Sequence, residues 1–150
     1  MGYTHYWDIL FTTTWVETWP QLVQDANLIA QAAGIRLTMD GEYSYEDYDD
    51  DDDDEHQNNG HDEPGPQIDD RAIHLNGPGG ESHESFILEP HMEGFDCCKT
   101  LRKEYDVVVT AILLRASQLA GDAIKVRYGC FSCSNLTRDT DLLQLGWSLG

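Results

Sequence analysis

The sequence predicts an α+β domain, a largely antiparallel sheet of about five strands covered by two helices, with a long acidic loop inserted into it. Three observations carry that expectation. Apolar residues alternate at period two in several short runs, and they recur near period 3.6 in two longer ones. Residues 40–70 follow neither pattern. At 150 residues the chain reads as a single domain, 1–150, long enough to bury one sizeable core.

The first strand lies in residues 3–13. Tyr3, His5, Trp7, Ile9 and Phe11 share one face, and Thr4, Tyr6, Asp8, Leu10 and Thr12 share the other. Thr18-Trp-Pro-Gln21 has the form of a capping box with proline in the first turn. The helix it opens puts Trp19, Leu22, Val23, Ala26, Ile29, Ala30 and Ala33 on one stripe and stops at Gly34. Residues 35–39 suit a short strand.

Residues 40–70 hold fifteen acidic residues and no Lys or Arg, with six consecutive aspartates from Asp49 to Asp54. Low hydrophobicity and like charge leave too little burial to offset the entropy of ordering, which predicts a mobile insertion. Alternation then resumes at 71–76, with Ile73 and Leu75 on one side. Gly77-Pro-Gly-Gly80 makes a turn, and residues 84–89 form the second arm of a hairpin.

From 100 to 120 the period changes again. Tyr105, Val108, Val109, Ile112, Leu113, Ala116 and Leu119 form a broad stripe ended by Gly121, and this outweighs the strand propensity of Val107, Val108, Val109 and Thr110. Residues 122–131 read as the last strand, with Ile124, Val126 and Tyr128 facing the core. An irregular tail from Ser132 offers Leu142, Leu143, Leu145 and Trp147 for packing.

The formal charge of −19 is uneven, since outside 40–70 thirteen acidic residues face nine basic ones, a net of −4. That balance argues against nucleic acid and anionic membranes as partners, because both need clustered Lys and Arg. No run of eighteen apolar residues exists to span a bilayer. The start, MGYTHYWDILF, lacks the basic and apolar regions of a signal peptide, so a soluble, cytoplasmic protein is expected. In that setting Cys97, Cys98, Cys130 and Cys133 are expected as thiols.

Several clusters carry chemistry in principle. The acidic run has the oxygens calcium needs but no EF-hand register, so it reads as a solvated loop or a lure for a basic partner. Cys130-Phe-Ser-Cys133 has the spacing of half a zinc site or of a redox pair. Zinc would need Cys97 or Cys98 and a histidine as well, yet adjacent cysteines on a regular element point apart. Asn76-Gly-Pro-Gly-Gly-Glu-Ser82 is glycine-rich without the Lys-Ser/Thr of a P-loop. Lys99, Arg102 and Lys103 fall at the expected start of the second helix, where cations oppose the macrodipole unless an anion sits nearby. That anion is a bound phosphate or carboxylate, the acidic loop, or Glu104 and Asp106. His5, on an apolar face, is either a satisfied core histidine or a base or ligand at a pocket floor.

Taken together, GYTHYW at 2–7, HLNGP at 74–78, ESF at 84–86 and CCKTLRKEYDVVVTAILLR at 97–115 resemble a family of small actinomycete and fungal proteins. The commoner family form has proline where Glu104 stands here, and an acid near the last strand where this chain has Tyr128-Gly129. The resemblance implies a shared fold and an acidic insertion in an otherwise complete domain, and it transfers no reaction. Two functional readings follow. One is a non-enzymatic binding module whose pocket, near His5, Asn76, Glu84, Lys99, Arg102 and Tyr105, takes a small anionic ligand, with the acidic loop meeting a basic protein. The other is a small hydrolase or transferase with His5 or Glu84 as general base and Lys99 or Arg102 stabilising negative charge.

Overall fold

The computed structural model describes residues 3–10, 13–40 and 63–130. In chain order the elements are β1 (Tyr3–Ile9), α1 (Thr13–Ala33), β2 (Gln67–Ile68), β3 (Ile73–Leu75), β4 (Phe86–Leu88), β5 (Gly94–Lys99), α2 (Asp106–Ala120) and β6 (Ile124–Cys130). The α+β class and both helices agree with the sequence. Among the described residues the strands number six rather than five, in two antiparallel sheets ordered β5-β1-β6 and β2-β3-β4.

β1 is central because its alternation leaves one face fully apolar apart from His5. His5, Trp7 and Ile9 are buried, and antiparallel register sets His5 between Cys98 and Tyr128, and Trp7 between Asp96 and Val126. The core they enter holds Trp15, Trp19, Leu22 and Ala26 from α1 and Val108, Val109, Ile112, Leu113 and Ala116 from α2. Burying each such large side chain contributes about 1.5–3 kcal/mol. The second sheet reaches the same core, where the Trp7 ring meets Phe86 edge-on at 5.3 Å.

α1 starts earlier than the capping box suggests. Thr18 lies within it, its hydroxyl donating to Thr14 O at 2.7 Å, and Pro20 is internal. An internal proline costs about 3 kcal/mol, but the added turn buries Trp15 against Trp19, with centroids 5.8 Å apart. Both indoles also donate to backbone, Trp15 to Glu89 O and Trp19 to Asp70 O. Gly34 follows at φ 64°, the left-handed stop expected there.

Four further expectations need correction. Residues 35–39 supply only a bridge, Thr38 to Asn76. Residues 94–99 form a strand that the sequence reading passed over. α2 begins at Asp106, because Leu101 and Arg102 take left-handed backbone (φ 50° and 58°) that no helix admits. Residues 63–70, read as part of the mobile insertion, belong to the fold: Met39 N–H donates to Pro64 O at 3.0 Å, β2 pairs with β3, and Asp69 Oδ1 accepts the N–H groups of Arg71 and Ala72. Phe11, Thr12, the run from Asp49 to Asp54 and the tail from Ser132 lie outside the described residues.

Candidate functional site

β5 ends at Lys99, and the chain must then turn onto α2. Thr100, fully buried, makes that turn specific, since its hydroxyl donates to Asp106 Oδ1, the first residue of α2. The same oxygen accepts Nε2–H of His5 at 2.6 Å. Asp106 suits its place, because a carboxylate in a helix's first turn complements the macrodipole. His5 is completely buried, while the Asp106 side chain keeps 22% exposure. With Nε2 committed as a donor, the neutral ring carries its lone pair on Nδ1.

Around His5 the rings stand edge-on. Tyr3 lies 5.1 Å away at 83°, and Tyr128, its register partner on β6, lies 5.2 Å away at 88°. Nδ1 of His5 and the hydroxyl of Tyr128 are both buried, and neither has a hydrogen-bond partner among the described residues. Burial pushes the Tyr128 phenol up to about 12, so at neutral pH it is a hydrogen-bond donor. At the rim, exposed Arg102 sets its guanidinium 5.2 Å from the Tyr3 ring centroid.

The other sequence candidates are near but occupied by structural bonds. Asn76, buried, gives its amide N–H groups to His83 O (2.9 Å) and Ser85 Oγ (3.1 Å) and accepts from Gly77 N (2.8 Å) and His83 N (3.1 Å). Glu84 Oε2 accepts the backbone N–H of Lys99 at 2.6 Å. Its carbonyl accepts from Tyr105 OH (2.7 Å) and Cys98 Sγ (3.3 Å). Burial and nearby acids push the Cys98 thiol and the Tyr105 phenol far up, which leaves both protonated. Lys99 presents its side chain on the opposite sheet face from His5, as its register with Thr4 requires. Lys103 donates to Gly80 O at 2.8 Å, so the expected cations precede α2 rather than sit in its first turn.

The structure therefore brings His5 and Arg102 together and adds Asp106, Thr100, Tyr3 and Tyr128. Of these, Tyr3 and Tyr128 were legible, since alternation places Tyr3 on the His5 face of the first strand and Tyr128 on the inner face of the last. Cys97 is exposed and Cys98 buried, so the two thiols do point apart. No group of three or more His, Cys, Asp or Glu is placed to hold a metal among the described residues. The Cys130 side chain and Cys133 lie outside them. Nor is any helix among them long and apolar enough to cross a membrane.

No family model, curated protein or solved structure matches this chain.

Proposed function

We propose that the domain is a non-enzymatic binding module for a small oxyanion, held beside His5. The observation that carries this reading is that two of the buried polar atoms without partners among the described residues, His5 Nδ1 and Tyr128 OH, stand on facing positions of neighbouring strands. Leaving a buried polar atom unsatisfied costs about 1–3 kcal/mol, so the fold holds both at a disadvantage that a ligand removes. The ligand must donate to Nδ1 and accept from a phenol. Hydrogenphosphate, or a phosphomonoester with one protonated oxygen, has both functions in one small group. Arg102, exposed at the rim, supplies the countercharge. Its left-handed turn is strained by about 1–2 kcal/mol per residue, which makes it the segment able to shift as the ligand enters.

A second reading, a hydrolase or transferase, rests on the His5–Asp106 contact, which orients an imidazole as a general base would need. No activated nucleophile accompanies it among the described residues. The neighbouring Cys98 thiol is held protonated, and the Glu84 carboxylate is bound to backbone.

Inorganic phosphate titrated against the full chain tests the proposal, with the His5 imidazole nitrogens followed by NMR. A saturable shift is expected, weakened about tenfold (about 1.4 kcal/mol) by Tyr128→Phe and by Arg102→Ala. Without phosphate, Tyr128→Phe should be as stable as the parent or up to about 1 kcal/mol more stable. Absence of a saturable shift, or an unaltered one in both variants, rejects the site. Turnover of a phosphomonoester that His5→Gln abolishes would select the enzymatic reading instead.

A further inference from the structure

The outer face of the β5-β1-β6 sheet collects the cations that the rest of the fold leaves unpaired. Eight of the chain's nine Lys and Arg residues are described. Arg36, Arg71 and Arg115 pair with Glu63, Asp69 and Asp25. Lys103 binds a carbonyl and Arg102 stacks on Tyr3. The remaining three, Lys99, Lys125 and Arg127, make no ion pair among the described residues, although the chain carries twenty-eight acidic residues. All three lie on one face, because register sets Lys99 opposite Thr4, Arg127 opposite Tyr6 and Lys125 opposite Asp8.

Two other features coincide with them. On the same face the Tyr6 and Phe95 rings stack, centroids 6.0 Å apart and 22° from parallel, and Phe95 keeps 68% of its surface exposed. β6, which bears Lys125 and Arg127, is the outer strand of its sheet among the described residues. Residues two apart on a strand stand about 7 Å apart on one face. Alternate side chains of any added strand repeat that spacing. Cations on an edge strand discourage pairing with neutral or basic chains, but the same cations favour a strand with carboxylates at alternate positions, since opposite charges across a strand pair stabilise it.

We infer that the edge of β6 accepts an extended acidic segment of a partner protein as an added strand, its alternate carboxylates on Lys125 and Arg127 and its backbone paired with that of β6. Nucleic acid fits less well. Phosphates offer no N–H groups to the β6 carbonyls, so they satisfy the cations without pairing with the strand edge.

The test is fluorescence anisotropy of a labelled peptide alternating glutamate and valine, titrated with the full chain at low salt. Saturable binding is expected. It should weaken about tenfold in the double variant Lys125→Glu/Arg127→Glu, and as much when alternate peptide nitrogens are methylated, because strand pairing needs charge and backbone N–H together. Circular dichroism checks the variant's fold, and Lys125→Ser/Arg127→Ser replaces it if reversal prevents folding. No saturable binding, equal binding of the methylated peptide, or capture of a single-stranded oligonucleotide in place of the peptide overturns the inference.

Discussion

Asn76 and Gly77 act as a unit where β3 ends. Backbone hydrogen bonds tie Asn76 to Thr38, the Thr38 hydroxyl donates to Gly77 O, and the Asn76 amide clamps the chain returning at His83 and Ser85. A Cβ on Gly77 would stand 2.2 Å from Glu81 O, a backbone atom with little room to yield. Gly77→Ala should therefore destabilise the domain by about 2–4 kcal/mol, and Asn76→Ala by a similar amount through orphaned backbone groups, both measured by urea unfolding. A fully stable Gly77→Ala protein would mean the loop has another conformation of equal energy. Sequence reading singled out Asn76 as a possible ligand contact, because a polar residue beside glycines is conspicuous. What it could not supply was the amide's partners seven and nine residues on. His5 shows the same limit. Its place on an apolar face was legible, but its partner Asp106 is 101 positions away, and periodicity carries no information about pairing at that range.

At the scale of elements, α1 and α2 are joined by buried apolar faces and by one ion pair, Arg115 Nε to Asp25 Oδ2 at 2.6 Å. The hydrogen bond from Arg115 is the largest influence holding the Asp25 carboxyl below the usual carboxylate range, with Gln21 adding to it against a partial burial cost. A carboxyl whose folded pKa is lowered stabilises the fold fully above its unfolded value, and that increment disappears as pH falls through the folded value. Asp25→Asn should thus be less stable than the parent at pH 7 by about 0.5–1 kcal/mol, since the Arg115 side chain is partly exposed and solvent screens the pair. The gap should close as urea titrations are repeated from pH 5 down to pH 3. A gap independent of pH would assign the loss to packing. The element the sequence concealed was β5. Its most apolar side chain, Phe95, faces outward, while Gly94 and Asp96 occupy inner positions beside Cys98, so its hydrophobic alternation runs out of phase with its burial. The start of α2 was concealed differently, because Leu101 and Arg102 adopt a backbone that their residue types do not announce.

For the molecule as a whole, the acidic insertion was legible as a break in pattern, but its far limit was not. Like charge and prolines continue to Asp70, whereas pairing of the chain resumes by Glu63. Its two ends are pinned together: Met39 N–H binds Pro64 O, Glu63 Oε1 accepts from Gly79 N, and Asp40 reaches Ser85 and His74. A domain whose insertion leaves and returns at one hydrogen-bonded point does not need the insertion's length. Replacing residues 42–62 with a short Gly/Ser linker should leave unfolding cooperative and raise stability. Closing a loop of about five residues rather than about twenty costs about 1.2 kcal/mol less. The replacement also removes eleven acidic residues, taking the net charge from −19 to −8, so the gain should be largest at low salt, where self-repulsion is least screened. Thermal unfolding of both chains across a salt series measures it. Loss of cooperative unfolding in the shortened chain would show that the acidic residues support the fold, and that the hydrogen bonds at residues 39 and 64 are not sufficient to close it.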